Sequence, residues 1–217
     1  MRILVATTNA GKILELEQIL GAEGIEIIGL GNLTAPEDIE TGSTFAENAL
    51  LKARYFHTRS GLMTIADDSG LEVAALAGAP GVYSARYAGP DASDRERTMK
   101  LLEELKDVPA ERRAARFVCA AAIVWDGGER VFEDEARGVI LSEPRGRNGF
   151  GYDPVFYYPP LGRTFAELRA EEKSQVSHRG RALRSLVGWL KASGLLDTAE
   201  SDDRINFPTG KSSASSE

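Results

Sequence analysis

Ile65-Ala66-Asp67-Asp68-Ser69-Gly70-Leu71 sets two adjacent carboxylates at the end of a short apolar run, directly before a Ser-Gly pair. Met63 to Ala66 reads as a strand. The acids then fall where strand gives way to loop, the usual place for functional groups on an α/β scaffold. Asp-Ser-Gly by itself is most often only a turn, because Asp and Ser bond their own backbone and Gly frees φ. The second acid and the strand-end position weigh against that reading. Successive side chains of an extended segment face opposite ways. One acid of the pair is therefore expected to act and the other to orient or cap.

Outward from this point, strands and helices alternate. Ile3-Leu4-Val5-Ala6 reads as a buried strand, and Ile13, Leu16, Ile19 and Leu20 then repeat at helical spacing. Ile25 to Ile28 reads as a second strand. Thr44-Phe45-Ala46-Glu47 is a capping box opening a helix that buries Phe45, Ala49, Ala53 and Phe56. Ser93 and Glu96 open another, carrying Met99, Leu102 and Leu105. Arg116 to Trp125 and Arg130 to Ile140 flank Asp126-Gly127-Gly128 and predict a β-hairpin. A Gly-rich loop over 146–154 leads to a strand over 155–158 and a last amphipathic helix capped by Ser177. The expected fold is α/β: a mixed sheet with helices on its faces. Residues 1–195 read as one domain. The Ser-, Asp- and Gly-rich stretch from 196 to 217 reads as a mobile tail.

Composition excludes several classes. With 26 basic and 33 acidic residues the net charge is −7, which argues against coating nucleic acid through a broad basic surface. A locally basic pocket for one nucleotide remains compatible. No apolar run approaches a membrane span, and the N-terminal apolar run is too short for a signal peptide. The single cysteine, Cys119, sits in the buried-strand pattern Phe117 to Val124 and reads as a small core residue. A cytoplasmic location is expected.

Three further clusters carry chemistry. The loop Thr7-Thr8-Asn9-Ala10-Gly11-Lys12 lies between a strand and a helix N-terminus. It is no Walker A motif, yet its hydroxyls, amide, backbone donors and lysine suit an anion. In Gly149-Phe150-Gly151-Tyr152-Asp153-Pro154, Phe150 offers a stacking face and Asp153 an acceptor. In Lys173-Ser174-Gln175-Val176-Ser177-His178-Arg179 the lysine precedes a helix whose first turn holds His178 and Arg179. Cations there oppose the macrodipole, a conflict that a bound anion or an electron-rich base edge relieves. Asp68, Asp67 and Glu40 are candidate carboxylates for Mg²⁺, which favours hard oxygen ligands, and a carboxylate can also take a proton from attacking water. A solvated loop acid is the plainer reading of Glu40, and His57 reads as structural.

Taken in order, six pieces resemble the inosine triphosphate pyrophosphatase family. They are Thr-x-Asn-x-x-Lys, Glu-Thr-Gly-Ser-Thr-Phe-x-Glu-Asn-Ala-x-x-Lys-Ala, Ala-Asp-Asp-Ser-Gly-Leu, Gly-Ala-Pro-Gly-Val-Tyr-Ser-Ala-Arg-Tyr, Gly-Phe-Gly-Tyr-Asp-Pro-Val-Phe and Glu-Lys-Ser-x-x-Ser-His-Arg-Gly. The resemblance runs from about residue 2 to 192. It implies an elongated central mixed sheet flanked by two lobes with the nucleotide between them, a homodimer, and Mg²⁺-dependent conversion of ITP, dITP and XTP to monophosphate and pyrophosphate. It implies Asp68 as proton acceptor and metal carboxylate, with Glu40 and Asp67 as metal partners. Thr7, Thr8, Asn9, Ala10, Gly11, Lys12, Lys52, Ser69 and Lys173 would surround the triphosphate. Phe150, Gly151, Tyr152, Asp153, His178 and Arg179 would hold sugar and base. A Maf-like nucleotide pyrophosphatase of other base specificity, a phosphatase releasing orthophosphate and a non-catalytic nucleotide sensor are the alternatives.

Overall fold

The computed structural model describes residues 1–36 and 39–195; the tail predicted over 196–217 lies outside them. One seven-stranded sheet runs through the molecule in the order β2-β1-β3-β4-β5-β6-β7. β1 (Arg2–Val5) pairs in parallel with β2 (Glu26–Ile28) and with β3 (Thr64–Val73). All later pairings are antiparallel: β4 (Ala114–Trp125), β5 (Gly128–Ile140), β6 (Phe156–Tyr158) and β7 (Arg163–Thr164). The predicted hairpin is the long β4–β5 ribbon.

Strict alternation sorts the core into two faces. Ile3, Val5, Ile65, Cys119, Ala121 and Ile123 point to the side covered by α1 (Ala10–Gly21) and α5 (His178–Ala192). Leu4, Ala6, Ala66, Ala120 and Ala122 point to the side covered by α2 (Phe45–Ser60). The alanines of β4 leave room for a helix on either face. Burial pushes the Cys119 thiol well above its ordinary pKa, in keeping with a structural residue. A third cluster packs Leu71, Val73, Phe117, Phe156 and Phe165 with Leu101 of α3 (Asp94–Glu104) and Leu105 at its C-cap, and forms the second lobe at the far end of β3–β5.

Both predicted capping boxes are present, Thr44 with Glu47 and Ser93 with Glu96, and Ser177 accepts from the Gly180 amide at the start of α5. His57 is structural as expected: its Nδ1 lies 2.7 Å from the Leu62 carbonyl beyond the end of α2. Two expectations are corrected. Met99 is 52% exposed, and α3 packs through Leu101 in its place, while Leu105 at its C-cap is buried and Leu102 partly buried as expected. The strand predicted to end at Ala66 continues to Val73, so Asp67-Asp68-Ser69-Gly70 is no loop. Each of those four residues is in register with β4: Asp67 with Ala121, Asp68 with Ala120, Ser69 with Cys119 and Gly70 with Val118. A ten-residue strand paired along its full length with β4 overrides the turn chemistry of Asp, Ser and Gly.

Among the described residues no helix is long and apolar enough to cross a membrane.

Candidate active site

β3 outruns its parallel neighbour. The register of β1 with β3 ends at Val5 opposite Ile65. Beyond that point β4 is the only strand paired with β3 among the described residues, apart from an isolated bridge of Glu72 with Pro80 near the end of β3, and the chain after β1 turns away through Thr7–Asn9 into α1. A cleft of about 570 Å³ opens along this stretch, lined by Thr7, Lys12, Lys52, Asp68, Phe150 and His178 among others.

The two-residue period fixes the acids. Asp67 shares the α1/α5 side with Ile65, and Asp68 shares the α2 side with Ala66. Asp67 is 2% exposed, and its Oδ2 takes Lys12 Nζ at 2.9 Å, Arg179 Nε at 3.0 Å and Ser69 Oγ at 3.1 Å. Burial raises its pKa, but Lys12 and Arg179 more than reverse this and hold the carboxyl far below the ordinary range. Asp68 is 7% exposed; Asn48 donates to its Oδ2 at 3.1 Å and Lys52 Nζ lies 3.6 Å from Oδ1. Here burial wins: it pushes the Asp68 carboxyl above the ordinary range, Glu40 adds to the rise, and Lys52 and Lys12 offset it only in part. A buried carboxylate with raised proton affinity at the floor of a cleft is suited to accept a proton.

Glu40 belongs to the Asp68 side. Its Oε1 meets Lys52 Nζ at 2.5 Å and its Oε2 meets Arg86 at 3.4 Å. Burial opposes its charge, yet Lys52, Lys12 and Arg86 together keep its pKa below ordinary. On the other face, Glu15 joins Lys173 at 3.0 Å and Arg179 at 2.5 Å, while Lys173 also meets Asp153 at 2.6 Å. Burial disfavours the Lys173 ammonium, but Asp153 and Glu15 reverse this and keep it charged. In and around the cleft five acids thus pair with five cations (Lys12, Lys52, Arg86, Lys173 and Arg179), Asp94 and Arg97 on its wall pair with each other, and the region is close to electrically neutral.

The base-recognition candidates fall into two groups. Phe150 packs on Gly11, where a Cβ would come within 2.5 Å of its ring, and Lys173 Nζ sits 4.6 Å from the ring centroid. Gly11 is thus a packing partner of Phe150, while Ala10 begins α1 and Asn9 caps it by accepting from the Lys12 amide at 3.0 Å. Thr7 accepts from the Asn9 amide at 3.2 Å, and Thr8 is exposed. Asp153 Oδ2 accepts from the Phe150 amide at 2.9 Å and closes the loop. Gly151 is held by Asp94 at 2.7 Å, and Tyr152 is buried in the second lobe with its hydroxyl donating to the Ser84 carbonyl at 2.9 Å.

His178 and Arg179 differ sharply. Arg179 donates to Asp67, Glu15 (2.5 Å) and Ser69 (2.6 Å), which uses three of its five N–H groups. His178 stacks on Phe117 with centroids 4.7 Å apart, and its buried Nδ1 has no partner. Burial, then Arg179 and Lys173, push the imidazole well below its ordinary pKa, so it is neutral.

Of the residues proposed from sequence, all but Ala10, Gly11 and Asp67 line one connected cleft; Ala10 and Gly11 form the first turn of α1. Asp67 lies behind, on the other face of the sheet from Glu40 and Asp68; among the described residues no three acids, histidines or cysteines cluster closely enough to hold a metal ion by themselves. Lys173, expected ahead of a helix, lies inside a short one, α4 (Ala170–Val176). Sequence reasoning missed Glu15 and Asn48. Each stands one helical turn from a residue it did single out, Glu15 three after Lys12 and Asn48 four before Lys52, and that spacing is the signal that could have found them.

An α/β sheet with a charge-balanced cleft across its lobes, lined by paired acids and lysines, defines a protein built to receive a polyanion. Residues 3–189 match the model of the Ham1 family, and the chain belongs to that family. It is 50% identical over 188 residues to the dITP/XTP pyrophosphatase of Thermus thermophilus, covering 86% of this chain and 90% of that one. It is 52% identical over 188 residues to the dITP/XTP pyrophosphatase of Exiguobacterium sibiricum, covering 86% and 95%. The solved structure of a HAM1 protein from Coxiella burnetii superposes with a TM-score of 0.80 at 44% identity, covering 88% of this chain and 99% of that one.

Proposed function

We propose that this protein is a nucleoside triphosphate pyrophosphohydrolase acting on dITP, ITP and XTP, releasing the monophosphate and pyrophosphate. The observation that carries it is Asp68: a buried carboxylate of raised proton affinity, aimed by Asn48 and facing Lys52, in a chain half identical to enzymes of that name. Water attacks the α-phosphorus, and Asp68 orients it and takes its proton. Lys12, Lys52 and Lys173 hold the phosphates.

Mg²⁺ belongs to the same reading. Glu40 Oε1 and Asp68 Oδ1 both turn toward Lys52 Nζ, so two hard carboxylates converge on a cationic point. Magnesium is commonly held by one or two carboxylates plus substrate phosphates and water. The donor set fits, with Asp68 and Glu40 as its protein ligands and Asp67 left to anchor Lys12 and Arg179. When bound, the ion offsets triphosphate charge and polarises the phosphoryl oxygens.

Base selection rests on His178 more than on Arg179. A neutral imidazole with an unpartnered nitrogen can donate to the 6-oxo group of hypoxanthine or xanthine, and the 6-amino group of adenine would face that donor unpaired, at about 1–3 kcal/mol. Rejection of GTP falls to a pocket by Phe150 that gives a 2-amino group no acceptor; equal kcat/KM for ITP and GTP removes this part. A homodimer, with the exposed Tyr83 segment contributing, and a cytoplasmic location complete the reading.

The deciding experiment incubates purified protein and Mg²⁺ with ITP, XTP, GTP and ATP and measures pyrophosphate against orthophosphate. Pyrophosphate from ITP and XTP, with little from ATP and GTP, is expected. Orthophosphate, or tight ITP binding without turnover, overturns the reading.

A further inference from the structure

We infer that Arg86 is a further substrate contact, which grips the departing pyrophosphate; this rests on the hydrolytic reading above. The cleft's ion pairs already balance, so a triphosphate gains most from a cation that can change partners. Four of the five stay with their acids and offer phosphate only their remaining N–H groups. Lys12 is held by Asp67, Lys52 by Glu40 and Asp68, Lys173 by Asp153 and Glu15, and Arg179 by Asp67, Glu15 and Ser69. All four are buried or nearly so. Arg86 differs on both counts: its side chain is 39% exposed, and among the described residues its ion pair is the 3.4 Å contact to Glu40.

Its backbone, by contrast, is fixed. Arg86 ends a 3₁₀ segment, Gly81–Arg86, that sits on β3 two residues beyond Asp68. A Cβ on Gly70 would come within 2.5 Å of both Gly81 O and Ser84 Oγ, so the segment lies directly on the strand. Ser84 Oγ accepts from the Leu71 amide at 2.9 Å and donates to Gly81 O at 2.6 Å. Arg97 donates to the Ala85 carbonyl at 2.8 Å, immediately before Arg86. A long guanidinium, held by Glu40 at 3.4 Å and lying 5.1 Å from the Tyr83 ring centroid, thus stands on a rigid base.

Position gives its role. Glu40 spans two cations, with Lys52 on one oxygen and Arg86 on the other. Arg86 therefore stands with Asp68 and Lys52, whereas His178 and Phe150 stand with Lys173 and Arg179. When water bonds to the α-phosphorus, the bond from that phosphorus to the oxygen bridging to the β-phosphorus breaks. The electron pair leaves on the pyrophosphate, and one water proton goes to Asp68 while the other stays on the new phosphoryl group. Negative charge grows on the leaving group, and a planar guanidinium fork matches phosphate oxygens.

The test compares parent, Arg86→Gln and Arg86→Lys in Mg²⁺. For Arg86→Gln, kcat/KM for ITP and inhibition by inorganic pyrophosphate should both weaken about ten- to a hundredfold. Inhibition by inosine monophosphate and the melting temperature should stay at parental values, and Arg86→Lys should fall between. If the parent releases pyrophosphate from ITP but Arg86→Gln keeps the parental inhibition constant for pyrophosphate, Arg86 is no such contact. Equal weakening by pyrophosphate and monophosphate also overturns it, since that marks a general distortion. If the parent releases no pyrophosphate from any purine triphosphate, the hydrolytic reading fails first and this inference with it.

Discussion

The two faces of β3 treat the same side chain in opposite ways. On the α1/α5 face Asp67 meets two cations and a hydroxyl, and its negative charge is locked in place. On the α2 face, one residue along, Asp68 meets the Asn48 amide at 3.1 Å, the Ser69 backbone N–H at 3.0 Å and a single ammonium at 3.6 Å, and burial leaves its charge costly. A carboxylate fully neutralised by ion pairs holds structure and is a poor proton acceptor. One left under-compensated in a cleft gains reactivity at the expense of stability. Adjacent identical residues thus divide support and chemistry between them by face alone.

The sharpest way to break this contrast is to neutralise each acid in turn. Asp68→Asn should lower kcat on ITP about 10²–10⁴-fold while leaving the protein folded, measured by pyrophosphate release and circular dichroism. A variant as fast as the parent ends the assignment. Asp67→Asn should do its damage to the fold, because it leaves Lys12 and Arg179 buried without their shared anion; a loss of about 3–5 kcal/mol in urea unfolding is expected. An Asp67→Asn protein of parental stability would show that the two faces do not differ as described. Asn48→Ala sharpens the comparison at smaller scale. It removes a donor from Asp68 and leaves the Gly42 amide, 2.8 Å from Asn48 Oδ1, without its acceptor. A cost of about 1–3 kcal/mol to stability and roughly tenfold in kcat should follow; unchanged kcat at saturating ITP would mean Asp68 needs no such orientation.

The smallest effect is a dependence on pH. Asp68 has a folded pKa above its unfolded value, so between those two values the folded state binds more protons and stability falls as pH rises. The penalty is fully present above the folded pKa and absent below the unfolded one. Asp68→Asn should therefore melt above the parent at neutral pH in EDTA, with the gap closing on acidification. Asp67 runs the other way: its stabilising contribution is present above the ordinary carboxylate pKa and is lost only in strong acid, as pH falls toward its depressed folded value. A gap between Asp68→Asn and parent that widens toward acid would contradict the assignment.

Much of this arrangement is legible in the chain itself. Apolar runs, capping boxes and the Gly turn locate β1, β2, α2, α3 and the β4–β5 hairpin because each is a local signal. The opposite facing of Asp67 and Asp68 follows from the two-residue period alone. The course of β3 does not, since Asp67-Asp68-Ser69-Gly70 has turn composition and only the partner strand β4, about fifty residues later, makes it extended. Glu15 and Asn48 are faint for a related reason, marked only by their helical spacing from Lys12 and Lys52. A polar residue on a helix reads as solvated until the tertiary fold brings Lys173, Arg179 or Asp68 against it. Short elements such as α4 and β7 carry too few periods to announce themselves.

Asp68 lies inside a strand paired along its length with β4, and that has a bearing on how such a protein can diversify. Insertions and deletions can accumulate in surrounding turns at little cost. A single-residue slip of β3 would exchange the reactive acid for the anchoring one and turn apolar neighbours inside out together. Lineages of this chain are therefore free to vary what surrounds the reacting atoms while the spacing from Thr64 to Val73 admits no gradual change.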